Sequence, residues 1–128
     1  MAVAYLDSSC VVAVLLDEPG ARKVLTALRR FGRLVASNLL EAEVRAALAR
    51  ERVDAAGETF MGLDWILPDR PLSKEIERVQ SVGPLRGADL WHVATALYLD
   101  PSAAELVFLT RDRQQQKIAA AVGFATPL

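Results

Sequence analysis

The chain has 128 residues, of which 52% are hydrophobic and 24% charged, and its formal net charge is -1. This length predicts a single domain over residues 1–128, and the globular composition excludes intrinsic disorder. A net charge so close to zero excludes a strong long-range attraction to nucleic acid, although it is compatible with a local basic rim.

Neither a membrane span nor a secretion signal is recognisable in the sequence. The longest unbroken apolar run, residues 10–16, is far below the ~18 residues that suggest a span. The first residues lack a basic region and are interrupted by Asp7. The single cysteine, Cys10, cannot form an internal disulfide, and we expect a buried structural thiol. These features predict a cytoplasmic protein.

Short apolar strands alternate with helices along the whole chain. Strands are predicted at residues 2–6, 34–36 and 106–109, with weaker candidates at 70–72 and 124–126. Apolar spacing and capping residues predict helices at 11–16, 21–31, 39–53, 58–67, 73–82, 90–99 and 113–123. This alternation predicts an α/β fold, a three-layer α/β/α sandwich with a mostly parallel sheet of four to five strands.

Four carboxylates occur in apolar surroundings, near predicted strand ends or helix starts, where an isolated negative charge is costly. They are Asp7, Glu43, Asp89 and Asp112. Asp7 and Asp112 follow predicted parallel strands, and ligands of open α/β sheets bind beyond the carboxyl ends of the strands. Asp7, Asp89 and Asp112 also fit the role of helix N-caps, so each of them taken alone could be explained by capping. Their expected position at one edge of the sheet is what favours a shared site.

Glu43 is the least cap-like of the four acids because it falls inside a predicted helix. Its helical neighbours are apolar, so it projects from the face that should meet the sheet. Glu41, by contrast, has Arg45 four residues later and fits a solvated ion pair. Glu43 is therefore the candidate ligand, and Glu41 the surface acid.

Hard oxygen ligands without a histidine or cysteine cluster favour Mg²⁺ or Mn²⁺ over zinc. His92 is the only histidine, and a packed core histidine is the favoured interpretation. Arg86, Arg111 and Arg113 flank the acids and are candidate contacts to a phosphate backbone, with solvated or ion-paired arginines as an equal alternative. Glu18 is more simply explained as an exposed loop acid.

Four segments in order resemble a PIN domain, and more narrowly the VapC-type toxins of toxin–antitoxin pairs. They are Tyr-Leu-Asp-Ser-Ser, Ser-Asn-Leu-Leu-Glu-Ala-Glu-Val-Arg-Ala-Ala-Leu, Gly-Ala-Asp-Leu-Trp-His-Val-Ala-Thr-Ala-Leu and Phe-Leu-Thr-Arg-Asp. The resemblance implies that Asp7, Glu43, Asp89 and Asp112 are catalytic metal ligands, with Ser8 and Thr110 as hydroxyls beside the first and last acids. It also implies a metal-dependent endoribonuclease, a cognate antitoxin and a homodimer.

Two other functions remain open from the sequence. A phosphotransferase of the haloacid-dehalogenase kind also has an aspartate after its first strand, but it needs a second aspartate where this chain has Ser9. A catalytically silent PIN-like scaffold that binds RNA or protein is the second alternative. The complete set of acids argues against that scaffold, and metal binding would separate it from a nuclease.

Overall fold

The computed structural model describes residues 2–55 and 57–128, and in this part of the chain four strands and six α-helices alternate. The strands are β1 (Val3–Leu6), β2 (Arg33–Ser37), β3 (Leu63–Ile66) and β4 (Val107–Leu109). The helices are α1 (Ser8–Leu15), α2 (Ala21–Leu28), α3 (Leu39–Arg50), α4 (Ser73–Gln80), α5 (Gly87–Leu99) and α6 (Arg113–Val122). A short 3₁₀ helix, Gly57–Phe60, precedes β3.

The four strands form one all-parallel sheet in the order β3-β2-β1-β4. The chain advances from β1 to β2 and β3 on one side, and then returns to place β4 on the other side of β1. This reversal makes the carboxyl ends of β1 and β4 a topological switch point, where α/β sheets bind ligands. Leu6 pairs with Leu109 in the register, so the residues that follow them are neighbours.

Alternation along the strands gives the sheet two buried faces. Tyr5, Val35 and Phe108 belong to one hydrophobic cluster, which they form with residues of α4, α5 and α6. Ala4, Leu6, Ala36 and Leu109 belong to a second cluster, formed with residues of α1, α2 and α3. Because successive side chains of a strand point to opposite faces, each short strand contributes to both clusters. The predicted three-layer α/β/α fold with a four-stranded parallel sheet is confirmed.

Two predicted elements between residues 58 and 72 are wrong. The predicted helix 58–67 is instead the 3₁₀ helix followed by β3, and the weak strand candidate 70–72 is not a strand. Leu63 and Trp65 pack in one cluster while Ile66 packs in the other, a two-residue period that pairing with β2 stabilises. The helical spacing of the apolar residues in this segment was misleading because sheet pairing overrides local propensity.

The remaining differences are at element ends. The candidate strand 124–126 forms a single bridge, between Val107 and Ala125. Helix α5 begins at Gly87, so Asp89 lies in its first turn and does not precede it. Cys10 is fully buried, as expected. Among the helices that the structure describes, none is long and apolar enough to cross a membrane.

Candidate active site

Asp7 follows β1 and is almost completely buried, with 3% of its surface exposed. Its Oδ1 accepts hydrogen bonds from the Ser9 amide at 3.1 Å and from the Ser9 hydroxyl at 2.6 Å. Through the bond to the amide, Asp7 caps α1. Its Oδ2 accepts from the Thr110 hydroxyl at 2.7 Å. Burial raises the pKa of Asp7 to about 6 in spite of these hydrogen bonds. A cation bound nearby would lower this pKa and stabilise the charged carboxylate.

The Ser9 hydroxyl, and not that of Ser8, contacts Asp7. Ser9 Oγ also accepts from the backbone N–H of Arg111 at 2.9 Å, so it joins the end of β1 to the segment after β4. Ser8 is half-buried and lines a neighbouring cavity with Glu43. Ser9 is the second residue of α1 and lies close to Asp7, the N-cap of that helix. It is therefore Ser9 that makes the contact to Asp7 expected of Ser8.

Thr110 connects the ends of β1 and β4. Its buried hydroxyl accepts a hydrogen bond from the Asp112 amide at 3.0 Å, and it lies 2.9 Å from Oε1 of Gln115. One hydroxyl has one proton, so Thr110 donates to Asp7 or to Gln115 but not to both. The charged oxygen of Asp7 is the stronger acceptor, and Thr110 therefore orients that carboxylate.

Asp112 caps α6, because its Oδ1 accepts from the Gln115 amide at 2.8 Å. The sequence signalled Gln115 only through its capping-box spacing from Asp112. Its side chain does not complete a capping box, and instead donates through Nε2 to the carbonyl of Asp89 at 3.2 Å. The fully buried Gln115 thus ties α6 to the first turn of α5, and it was missed as a site residue.

Asp89 is half-buried and shares a cavity of about 610 Å³ with Asp112 and Arg86. Burial raises the pKa of Asp89, and the negative charge of Asp112 raises it further. The positive charge of Arg86 acts in the opposite direction. The two carboxylates therefore face a common space, with the guanidinium of Arg86 beside it.

Glu43 projects from α3 towards α5 and not onto the sheet face that its apolar neighbours predicted. Its Oε1 lies 2.5 Å from Nε2 of His92, and the side chain lines a cavity of about 490 Å³ with Ser8 and Arg50. Glu41 accepts from Nε of Arg45 at 2.7 Å on the exposed side of the helix. The distinction between an inward Glu43 and a surface Glu41 is confirmed.

His92 is fully buried, as the core interpretation required, but it also contacts the site. Its Nδ1 lies 2.8 Å from the Tyr5 hydroxyl, whose oxygen accepts from the Ser37 amide at 3.2 Å. Tyr5 and His92 were not among the predicted site residues. The sequence places them 87 positions apart, and only the packing of α5 on β1 brings them together.

The four acids come from four different parts of the fold, and electrostatic interactions link them through Asp89. Its negative charge interacts with those of Asp7, Glu43 and Asp112. The acids are not gathered into a finished metal centre, however, because Glu43 lines a different cavity from Asp89 and Asp112. Over residues 2–55 and 57–128, no three acidic, histidine or cysteine side chains are spaced as ligands of one ion.

The chemistry of this donor set fits Mg²⁺ or Mn²⁺. Its ligating atoms are carboxylate oxygens, and the single histidine is already engaged by Tyr5 and Glu43. Asp89, Glu43 and Asp112 each retain some solvent access, so their carboxylates can rotate towards an ion. Asp7 has less freedom, because Ser9 and Thr110 hold both of its oxygens.

The three candidate arginines lie in different environments around the acids. Arg86 borders the cavity of Asp89 and Asp112. Arg113 is exposed and borders a second cavity that Thr110 also lines. Arg111 is already engaged, since its guanidinium donates to Glu18 Oε1 at 3.3 Å and to the Pro19 carbonyl at 2.5 Å. Of the three arginines, Arg111 is therefore the one that forms an ion pair. Glu18, expected to be an exposed loop acid, is its partner.

One protein family matches this sequence over most of its length. The match is to the PIN domain, and it covers residues 4–121. No curated protein matches the chain. The PIN domain is a nuclease fold whose members generally depend on divalent metals, in agreement with the acids at the carboxyl end of the sheet. With a match over so much of its sequence and the parallel α/β/α architecture, the chain belongs to the PIN domain family.

Proposed function

We propose that this chain is a metal-dependent endoribonuclease that acts in the cytoplasm as the toxin of a VapC-type toxin–antitoxin pair. One observation carries the proposal: carboxylates from the β1–α1 junction, α3, α5 and the β4–α6 connection interact electrostatically at one end of the sheet. Such a concentration of buried and half-buried negative charge is costly, and a bound cation would offset it.

The proposed reaction is hydrolysis of an RNA phosphodiester. Bound Mg²⁺ or Mn²⁺ would lower the pKa of a water molecule and offset negative charge on the phosphate. Asp7, Glu43, Asp89 and Asp112 would hold the metal, with Ser9 and Thr110 orienting Asp7 through the hydrogen bonds described above. Arg86 and Arg113 would bind backbone phosphates beside the acids.

Two protein partners belong to the same proposal. A cognate antitoxin would silence the nuclease by covering the acidic end of the sheet, and a second copy of the chain would form a homodimer. Both follow from the resemblance to VapC-type toxins. Co-expression with the neighbouring reading frame, followed by size-exclusion chromatography, would test both associations.

Replacement of Asp7 by asparagine tests the enzymatic proposal directly. We expect Asp7→Asn to lower Mg²⁺-dependent cleavage of a labelled RNA at least about a hundredfold, because the loss of a ligand should cost no less than the loss of a residue that supports one. Asp64→Asn is the matched control, since Asp64 is exposed on β3 and pairs with Arg33. Equal cleavage by Asp7→Asn and the control, with both folded, would refute the role of Asp7.

A catalytically silent scaffold is the second candidate, and the engagement of Glu43 by His92 favours it. In a scaffold, this contact would persist and the acids would bind no metal. Calorimetric titration with Mn²⁺ separates the two functions. Saturable Mn²⁺ binding that Asp7→Asn weakens supports the nuclease, whereas RNA binding without Mn²⁺ binding supports the scaffold.

A further inference from the structure

Basic residues are unevenly distributed along this nearly neutral chain. Residues 19–40 contain no aspartate or glutamate, but they contain five basic residues: Arg22, Lys23, Arg29, Arg30 and Arg33. Four of the five lie in or directly after α2, and the structure leaves all five exposed. This segment therefore creates a strong local positive charge that the overall net charge of -1 conceals.

Two adjoining cavities lie along this positive charge, and one of them extends to Thr110 beside the acidic site. One, of about 450 Å³, is lined by Thr110, Arg113 and Lys23. The other, of about 400 Å³, is lined by Lys23, Arg22 and Arg30. Lys23 belongs to both, so the cavities are neighbours, and Thr110 at the near end donates to Asp7. We define Arg22, Lys23, Arg30 and Arg113 as the basic strip.

The side chains of the basic strip retain their charge for a ligand. In the described part of the chain, none of the four takes part in an ion pair, whereas Arg33 pairs with Asp64 and Arg111 with Glu18. Arg111 is fixed beside Gly20, which has no Cβ to crowd the guanidinium that donates to the Pro19 carbonyl. The strip is thus a row of exposed, uncompensated cations that ends at Arg113, the residue that follows the proposed ligand Asp112.

We infer that the basic strip binds the phosphate backbone of an RNA strand and guides it to the acids, an inference that rests on the proposed function. Phosphate contacts position a strand without reading its bases. None of the described residues that line the two cavities is aromatic, so the strip offers no platform on which bases could stack. Binding along it should therefore depend on salt and not on base sequence.

Salt-dependent binding without metal tests the strip separately from catalysis. The probes are fluorescein-labelled 12-nucleotide oligo(U) and oligo(A), titrated in EDTA at several salt concentrations. For a single strand, each phosphate contact contributes about -0.7 to the slope of log K against log salt. The double variant Lys23→Gln/Arg30→Gln should reduce the magnitude of that slope by about 1.4 and weaken binding roughly tenfold in dilute salt, equally for both probes.

Lys74→Gln/Arg52→Gln is the matched control, because it removes the same charge from exposed residues that line neither cavity. Equal slopes for the two double variants, absence of binding by the unaltered chain, or loss confined to one probe would overturn the inference. Cleavage reports on the acids independently. If the double variant changes the slope but the unaltered chain cleaves no RNA, the basic strip binds RNA and the proposed nuclease function is refuted. If the slope is unchanged but the unaltered chain cleaves RNA, the nuclease function is supported and the role of the basic strip is refuted.

Discussion

His92 connects Glu43 to Tyr5 through opposite nitrogens of one imidazole ring. Nε2 lies 2.5 Å from the Glu43 carboxylate, and Nδ1 lies 2.8 Å from the Tyr5 hydroxyl. The Tyr5 oxygen accepts from the Ser37 amide, and burial raises the pKa of the phenol, so Tyr5 keeps its proton and donates it to Nδ1. Nε2–H then donates to Glu43, which fixes both the tautomer of His92 and the direction of the carboxylate.

Tyr5→Phe should therefore impair a nuclease without touching its acids. Loss of the phenol leaves Nδ1 without its donor, so the imidazole ring and the Glu43 carboxylate bonded to it are less firmly oriented. We expect cleavage to fall about 10–100-fold, the usual cost of removing a residue that orients a metal ligand. In ¹⁵N NMR spectra of the metal-free protein, the Nδ1 resonance of His92 should move towards that of an imidazole nitrogen that accepts no hydrogen bond.

Tyr98→Phe is the control for that experiment, since the Tyr98 hydroxyl bonds the exposed Asp69 at 3.0 Å. It should leave both the cleavage rate and the Nδ1 resonance of His92 unchanged. A Tyr5→Phe variant that keeps the original Nδ1 resonance and cleaves at the original rate would show that Tyr5 only fills the core.

The stability of the metal-free protein should fall as the pH rises through the pKa of Asp7. In the folded chain this pKa is about 6, above the ordinary value of 3.8, because burial disfavours the charged form. The stabilising contribution of the protonated group is complete below about pH 4 and is lost as the pH passes 6. At 1.36 kcal/mol per pKa unit, the loss amounts to about 3 kcal/mol by pH 8.

Urea unfolding in EDTA from pH 4 to pH 8 measures this loss, and Asp7→Asn is the comparison. The asparagine variant carries no charge at position 7, so most of the pH dependence should disappear and it should be the more stable protein at pH 8. Parallel pH profiles for the two proteins would mean that Asp7 is not desolvated as described.

Thr110→Val should weaken both activity and stability, because it removes a hydroxyl that donates to Asp7 and accepts from the Asp112 amide. Leaving the buried groups unpaired should cost about 1–3 kcal/mol in the free energy of unfolding. Cleavage should fall about 10–100-fold through misorientation of Asp7. Thr110→Ser keeps the hydroxyl and should restore most of the cleavage. If valine and serine gave equal rates, the hydroxyl would have no orienting role.

The fold was largely predictable because its strands are short, apolar and separated by well-marked helices. β1 and β4 read as buried strands, and the alternation with helices implied parallel pairing. The helix predicted over residues 58–67 was wrong for an identifiable reason. Leu63 and Trp65 show both helical and alternating spacing with their neighbours. Only the hydrogen bonds available along β2 select the strand.

The candidate acids could be singled out from the sequence, but the residues that contact them could not. Asp7, Glu43, Asp89 and Asp112 stand out because a carboxylate in apolar sequence demands an explanation. Ser9, Gln115, Tyr5 and His92 do not stand out, because a buried polar side chain looks ordinary until its partner is known.

The sequence by itself determined which acids lie in apolar surroundings and at which edge of the sheet they are expected. It could do so because strand direction and alternation are local properties. Tertiary packing alone decided that His92 meets Glu43, that Thr110 reaches Asp7 from 103 residues away, and that α2 carries its cations beside the end of β4. The physical reason is that hydrogen bonds and electrostatic fields depend on distances in space, and the packing of helices on the two faces of the sheet sets those distances.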